Sequence, residues 1–228
     1  ISALFYGTIQ SALFTLLAVY AASMNFSIFD ISLVTFLLAI SGAISQWPIG
    51  KISDLYDRRK VIIISTFASA FFAFCAILAS KQMYLPGDLA SNKGWFYLSL
   101  ILFSVCSLPM FSLILAHTND FIVKEKFVAA GASLQFTFGM GAMGGPFLCS
   151  IFMNIVGPNG FFIFIIFFHT LIGLFGIYRN TVREVVDNPD SQFVAMPSTI
   201  TPVGIELSPT SGPIAEPQKT EDIQVTSI

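Results

Sequence analysis

The sequence has 228 residues, of which 55% are hydrophobic and only 11% are charged. About 25% of the residues of an ordinary soluble domain are charged, so this chain has too few polar side chains to cover a water-soluble core. The composition therefore predicts a protein of the lipid bilayer, and the lack of any basic face excludes nucleic acid as a partner.

Uncharged runs divide the chain into predicted membrane-spanning helices. About 20 helical residues cross about 30 Å of hydrocarbon. The long uncharged run from Phe127 to Tyr178 holds two helices, separated by the turn sequence VGPNG at 156–160. The predicted spans are 2–22, 31–50, 61–80, 95–116, 129–153 and 160–179. Residues 1–180 are therefore predicted to form an all-α bundle of six transmembrane helices.

Lysine and arginine are concentrated in alternate loops. If both ends of the chain are cytoplasmic, the short segments next to the spans hold eight of these residues on the cytoplasmic side and only Lys81 and Lys93 outside. The positive-inside rule therefore predicts that orientation.

The two ends of the sequence differ from its middle. Residues 181–228 are rich in Pro, Ser and Thr and are predicted to form a disordered cytoplasmic tail. The first residue, Ile1, already lies in an apolar run, so we expect further chain before it.

One loop concentrates charge between the second and third predicted spans. Its sequence is QWPIGKISDLYDRRKV, residues 46–61. A loop that only sets orientation needs basic residues, which Arg58 and Arg59 supply, but it does not need Asp54 four residues after Gly50. A carboxylate at the lipid boundary is costly without a partner, so Asp54 indicates a specific contact.

This order of Gly, Asp and paired basic residues resembles the signature loop of the major facilitator superfamily (MFS). In that family the loop joins the second and third helices of each six-helix half. Leu55 and Asp57 depart from the usual pattern. The stretches LILAHTND (113–120), AAGASLQFTFGMGAMGGPF (129–147) and FVAMPSTITPVGIEL (193–207) are similar to the second half of the YcaD-like bacterial branch.

The resemblance implies that the chain is the C-terminal half of a twelve-helix transporter in a bacterial inner membrane. Gly50, Asp54, Arg58 and Arg59 would then form a conformational latch on a partner, which is either the missing N-terminal half or a second copy. The substrate would be a small solute moved by alternating access.

Span five contains a packing pattern. Gly141 and Gly145 form a G-x-x-x-G step that allows close helix approach, and Pro146 follows directly. The resemblance adds that such a helix flexes during transport, so these residues are predicted to serve packing, a hinge, or both.

Polar residues inside the spans are candidates for a substrate cavity. They are Tyr6, Gln10, Gln46, Ser107 and Gln135. Each could instead form a hydrogen bond between helices. His169 is expected to be a packing residue or, alternatively, a proton relay, and His117 could face Asp120 on one helix.

The sequence contains no catalytic motif, no metal-ligand spacing and no nucleotide-binding loop, so enzymatic activity and cofactors are not expected. The alternative function is a six-helix membrane scaffold or sensor that does not transport.

Overall fold

The computed structural model describes residues 1–82, 89–123 and 126–182, and these form helices joined by short turns. The helices are α1 (Ser2–Ser23), α2 (Ile28–Leu55), α3 (Arg58–Gln82), α4 (Leu89–Ser107), α5 (Met110–Asn119), α6 (Phe127–Val156) and α7 (Gly160–Val182). With α4 and α5 counted as one span, six helical segments are long and apolar enough to cross a bilayer. The predicted all-α bundle of six spans is confirmed.

The fourth span differs from its prediction because it is broken. A single helix over 95–116 was expected, but α4 ends at Ser107 and α5 begins at Met110. Pro109 lies in the break, has no N–H to donate to the preceding turn, and its ring hinders a regular helix. The hydroxyl of Tyr6 on α1 donates to the carbonyl oxygen of Leu108 at this break, at 3.2 Å.

The other helices also extend beyond their predicted bounds, and α2 does so furthest. α2 begins at Ile28 because Ser27 and Asp30 form a capping box, and it continues past Lys51 to Leu55. α6 covers Phe127–Val156. Charge marks where the hydrocarbon ends, whereas the helix itself continues into the polar layer. Of the predicted tail, Thr181 and Val182 belong to α7, and residues 183–228 lie outside the described residues.

The helix contacts repeat between the two halves of the bundle. α1 packs most extensively on α6, and α2 packs on α4. If spans one, two and three are exchanged with spans four, five and six, the first of these helix pairs becomes the second. The contacts of α3 with α4 and of α1 with α7 exchange in the same way, and α3 packs on α7. The bundle therefore has the pattern of an internal repeat of three spans.

Small residues set the closest crossing, between α1 and α6. A Cβ atom added to Gly141 would overlap the carbonyl oxygen of Leu4, and one added to Gly145 would overlap that of Thr8. The hydroxyl of Thr8 donates to the carbonyl oxygen of Gly141 at 3.2 Å. Close backbone approach matters here because packing, rather than exclusion of water, drives helix association in lipid.

A second contact region is aromatic. The Tyr20 ring lies 5.3 Å from that of Phe161 and 4.9 Å from that of Phe162, measured between centroids. Phe96 packs on the same group from α4. This cluster joins the end of α1 to the starts of α4 and α7, at the opposite end of the bundle from the loop between α2 and α3.

A substitution of Gly141 by Ala tests the crossing of α1 and α6. We expect Gly141→Ala to lower the free energy of unfolding by about 1–3 kcal/mol, because the added methyl group must displace the backbone of α1. The measurement is denaturation of the purified full-length protein in mixed detergent micelles.

Gly139→Ala is the matched control, because a Cβ atom at Gly139 meets no atom within 4 Å. It should change the free energy of unfolding by less than about 0.5 kcal/mol. Equal losses for the two variants would contradict a close crossing at Gly141.

Candidate functional site

The charged loop forms a tight turn between two helices. α2 ends at Leu55 and α3 begins at Arg58. A carboxylate oxygen of Asp57 accepts the backbone N–H of Arg59 at 3.0 Å. The backbone carbonyl of Asp57 accepts from Lys60 and Val61. Asp57 therefore satisfies N–H groups that the first turn of α3 would otherwise leave without partners.

Arg58 connects three parts of the bundle through two carboxylates. One of its guanidinium nitrogens lies 2.6 Å from Asp54 at the end of α2. The other lies 3.0 Å from Asp120, which follows α5. We call these three residues the Arg58 cluster. Its members join α2, α3 and the end of α5, although Asp120 lies 62 positions from Arg58 in the sequence.

The two carboxylates of the Arg58 cluster differ in their exposure to solvent. The side chains of Arg58 and Asp120 are 7% and 11% exposed, whereas that of Asp54 is 32% exposed. Charge-assisted hydrogen bonds strengthen as water is excluded, so the pair of Arg58 with Asp120 is the internal one. Asp54 lies at the edge of the bundle.

Gly50 and Arg59 are positioned beside the cluster. Gly50 is buried one turn before Asp54, and its carbonyl accepts the hydroxyl of Ser53 at 2.8 Å. Arg59 is buried and directed differently from Arg58, since its guanidinium carbon lies 5.2 Å from the centroid of the Phe121 ring. The four residues of the predicted latch thus lie together, at the ends of α2 and α3.

The predicted cavity residues do not form one group. Tyr6 is buried and binds the break in the fourth span, as described above. Ser107 is also buried, and its hydroxyl oxygen lies 3.1 Å from Nε2 of His169 on α7. The His169 ring meets Phe103 edge-on. Ser107 and His169 therefore face each other inside the bundle.

The three amides lie nearer the surface. Gln46 on α2, Gln135 on α6 and Gln10 on α1 are each half-buried. The side-chain oxygen of Gln10 is buried and accepts no hydrogen bond from the described residues. α2 and α6 are also the two spans with the smallest buried share, so Gln46 and Gln135 lie on the helices that are most open to a further partner.

The other end of α2 carries a second ionic group, which the sequence interpretation missed. The ammonium of Lys93 lies 2.8 Å from a carboxylate oxygen of Asp30, and the Tyr97 hydroxyl donates to the other oxygen at 2.8 Å. The spacing of Ser27 and Asp30 was a visible capping signal. The partnership with Lys93 had no local signal, since Lys93 follows by 63 positions.

The suggested pairing of His117 with Asp120 is replaced by other contacts. The His117 ring packs edge-on against Phe121 at 5.0 Å between centroids, while Asp120 binds Arg58. The predicted orientation could have suggested Asp120 as a partner for Arg58, because it places both residues at the cytoplasmic end.

The fold and the arrangement of charge define an integral membrane protein built from six spanning helices. A model of the Major Facilitator Superfamily matches residues 1–211. The chain belongs to the major facilitator superfamily.

Curated relatives are themselves named as transporters of this type. The chain is 29% identical to the uncharacterized MFS-type transporter YE1530 of Yersinia enterocolitica, over 159 residues. It is 24% identical to YfkF of Bacillus subtilis and 23% identical to YcaD of Escherichia fergusonii, over regions of similar length. Each alignment covers 70% of this chain but only 38% of the relative. No solved structure matches the chain.

A double-mutant cycle tests whether Arg58 and Asp120 act together. Arg58→Gln alone should cost about 3 kcal/mol of unfolding free energy, because it leaves Asp120 largely buried without this partner. Asp120→Asn should remove much of that penalty, giving a coupling energy of about 0.5–3 kcal/mol between the two sites. Denaturation of the full-length protein in mixed micelles measures each variant.

The control cycle combines Asp120→Asn with Lys60→Gln, since Lys60 is exposed at the same end of the bundle. Those two changes should add to within about 0.5 kcal/mol. Additive effects of Arg58→Gln and Asp120→Asn would show that the 3.0 Å contact contributes nothing to stability.

Proposed function

We propose that this chain is the C-terminal six-helix half of a secondary transporter that moves a small solute across a bacterial inner membrane by alternating access. The observation that carries the proposal is the Arg58 cluster. It places a partly exposed carboxylate, Asp54, at the end of α2. Among the six described spans, only α6 has a smaller buried share than α2. Membership of the superfamily supports transport as the general activity.

The exposed faces of α2 and α6 support a second helical bundle as the partner. On α2, Phe36, Ile44 and Trp47 are exposed. On α6 the exposed side chains include Phe136, Met143 and Phe147. Surfaces of this kind suit either lipid or another apolar bundle. The 38% coverage of the relatives leaves ample length in them for a further bundle.

In the proposed mechanism, Asp54 holds the partner half closed on the cytoplasmic side and releases it when the bundles rock. Arg58 positions the Asp54 carboxylate, and Asp120 anchors Arg58 to the end of α5. Gly141, Gly145 and Pro146 lie on α6, which crosses α1 closely, so a change in α6 would move α1 with it. Gln10, Gln46 and Gln135 are the amides that we propose to face the solute path.

Cysteine labelling tests the proposed orientation. Lys60 and Lys81 are both exposed, near opposite ends of α3. We expect a membrane-impermeant maleimide to label Lys81→Cys in intact cells and Lys60→Cys only after permeabilisation, in full-length protein whose native cysteines are replaced. The reverse pattern would contradict cytoplasmic chain ends.

A second labelling experiment tests alternating access without knowledge of the solute. Ser133 and Ser150 are both exposed on α6, toward its two opposite ends. If Asp54 closes the cytoplasmic side, Asp54→Asn should raise labelling of Ser133→Cys and lower labelling of Ser150→Cys. The change should be about threefold, since a partly exposed charged pair contributes about 0.2–1 kcal/mol.

Lys60→Gln, which removes an exposed charge from the same loop, is the matched control and should leave both labelling rates unchanged. In a membrane scaffold that does not transport, the charged loop would only set orientation. Asp54→Asn would then behave like Lys60→Gln at both positions, and the proposed latch would be wrong.

A further inference from the structure

The chain divides into two parts of opposite net charge, and the division falls at the end of α7. Residues 1–182 contain nine basic and six acidic residues, which gives a net charge of +3. Residues 183–228 contain two basic and seven acidic residues, which gives a net charge of −5. The whole-chain net charge of −2 therefore conceals a basic helical bundle followed by an acidic segment.

The excess positive charge of the bundle lies at the end that carries the Arg58 cluster. Near the opposite end the sequence places two basic residues, Lys81 and Lys93, and two acidic residues, Asp30 and Asp88. α7 begins at that opposite end and finishes at Val182. The acidic segment therefore leaves the bundle at its basic end.

Two exposed cations lie beside this exit. Arg179 is in the last turn of α7, and Lys126 directly precedes the first residue of α6. Both residues are exposed, and neither forms an ion pair with a carboxylate of the described residues. In this they differ from Arg58 and Arg59, which are buried and already have partners.

The start of α6 projects beyond the end of α7. The two helices are antiparallel, and the Phe152 ring packs against the Phe164 ring at 5.4 Å between centroids. Counting along both helices from this contact brings Val182 level with about residue 134. About seven residues of α6 therefore extend past α7, over about 10 Å. A chain that leaves α7 in the same direction passes this part of α6 on its way to Lys126.

Lys126 lies within reach of the first residues after α7. The eight residues 183–190 can extend at most about 28 Å from Val182. The axes of neighbouring helices lie about 8–10 Å apart, so the start of α6 is well inside that limit. The stretch needs no change in the bundle to contact both Lys126 and Arg179.

The same stretch has the complementary charge. Glu184, Asp187 and Asp190 follow one another at intervals of three residues, and residues 184–190 include no basic side chain. Because the stretch is joined directly to α7, its effective concentration at the two cations is high. A lipid headgroup would have to compete with a segment that is already tethered there.

We propose that residues 184–190 dock on the basic surface formed by Arg179 and Lys126, through Glu184, Asp187 and Asp190. The docked segment holds the beginning of the tail along the first turns of α6. The interaction does not rest on the proposed transport, since both partners belong to this chain, and it would be present in a scaffold protein as well.

Disulfide formation between Ala129→Cys and Ser191→Cys measures this docking. Ala129 is exposed on the first turn of α6, and Ser191 directly follows Asp190. The full-length protein, with its native cysteines replaced, is oxidised mildly in phosphatidylcholine nanodiscs and the rate of cross-linking is followed. Raising the ionic strength from about 0.15 M to about 1 M should slow the reaction, because the screening length falls from about 8 Å to about 3 Å.

Neutralising the segment should also slow the reaction. The combination of Glu184→Gln, Asp187→Asn and Asp190→Asn should lower the cross-linking rate at least about threefold, since it removes every charge pair of the docked state. The matched control is Glu216→Gln with Glu221→Gln and Asp222→Asn. It removes the same charge from a later part of the tail and should retain the full rate.

A charge exchange tests the role of Lys126. Lys126→Asp alone should slow cross-linking, because it places a like charge beside Asp190. Adding Asp190→Lys to Lys126→Asp should restore the rate, since the pair is then reversed rather than lost. A purely structural effect of the change at Lys126 would not be rescued in this way.

The proposal is overturned if the two triple variants cross-link at the same rate, or if high ionic strength leaves the rate unchanged. It is also overturned if the exchanged pair stays as slow as Lys126→Asp alone. Nanodiscs that contain phosphatidylglycerol test the competing occupant. If they slow the unneutralised protein to the rate of the neutralised segment, the two cations bind lipid headgroups instead of the tail.

Discussion

The hydrocarbon layer admits no uncompensated charge, and this constraint determines where the protein can place its ionic groups. In the described residues, the ion pairs lie at the two ends of the bundle: Asp54, Arg58 and Asp120 at one end, and Asp30 with Lys93 at the other. Between them the spans meet through glycine, serine and aromatic contacts. The described ionic groups therefore lie at the ends of the spans, and the middle of each span packs without them.

The two ends of α2 are held by charge, while much of its surface is exposed. Asp30 and Asp54 fix its ends, and the hydroxyl of Ser104 donates to the carbonyl oxygen of Leu38 near its middle. α6 is attached along its length, since Gly141 and Gly145 allow it to pack closely against α1. The two least buried spans are thus attached in different ways, one through its ends and one along its length. This difference suits α2 to the proposed latch and α6 to coupled motion with α1.

The adjacent arginines Arg58 and Arg59 have separate roles in this arrangement. Successive residues on a helix lie about 100° apart, so neighbours in the sequence face different partners. Arg58 binds two carboxylates and joins helices within the bundle, whereas Arg59 lies over the Phe121 ring. Because the middle of the spans is uncharged, amides such as Gln46 and Gln135 are the polar groups assigned to the proposed solute path.

The sequence by itself determined the number of spans, the position of the charged loop and the close-packing glycines of α6. These follow from local rules, because hydrocarbon thickness sets the length of an uncharged run and a missing side chain permits close approach. Only the tertiary structure decided that Arg58 binds Asp120, that Lys93 binds Asp30, and that Ser107 meets His169. Each of these partners lies more than 60 positions away in the sequence. Local pattern carries no information on such pairs, since the packing of whole helices against one another brings them together.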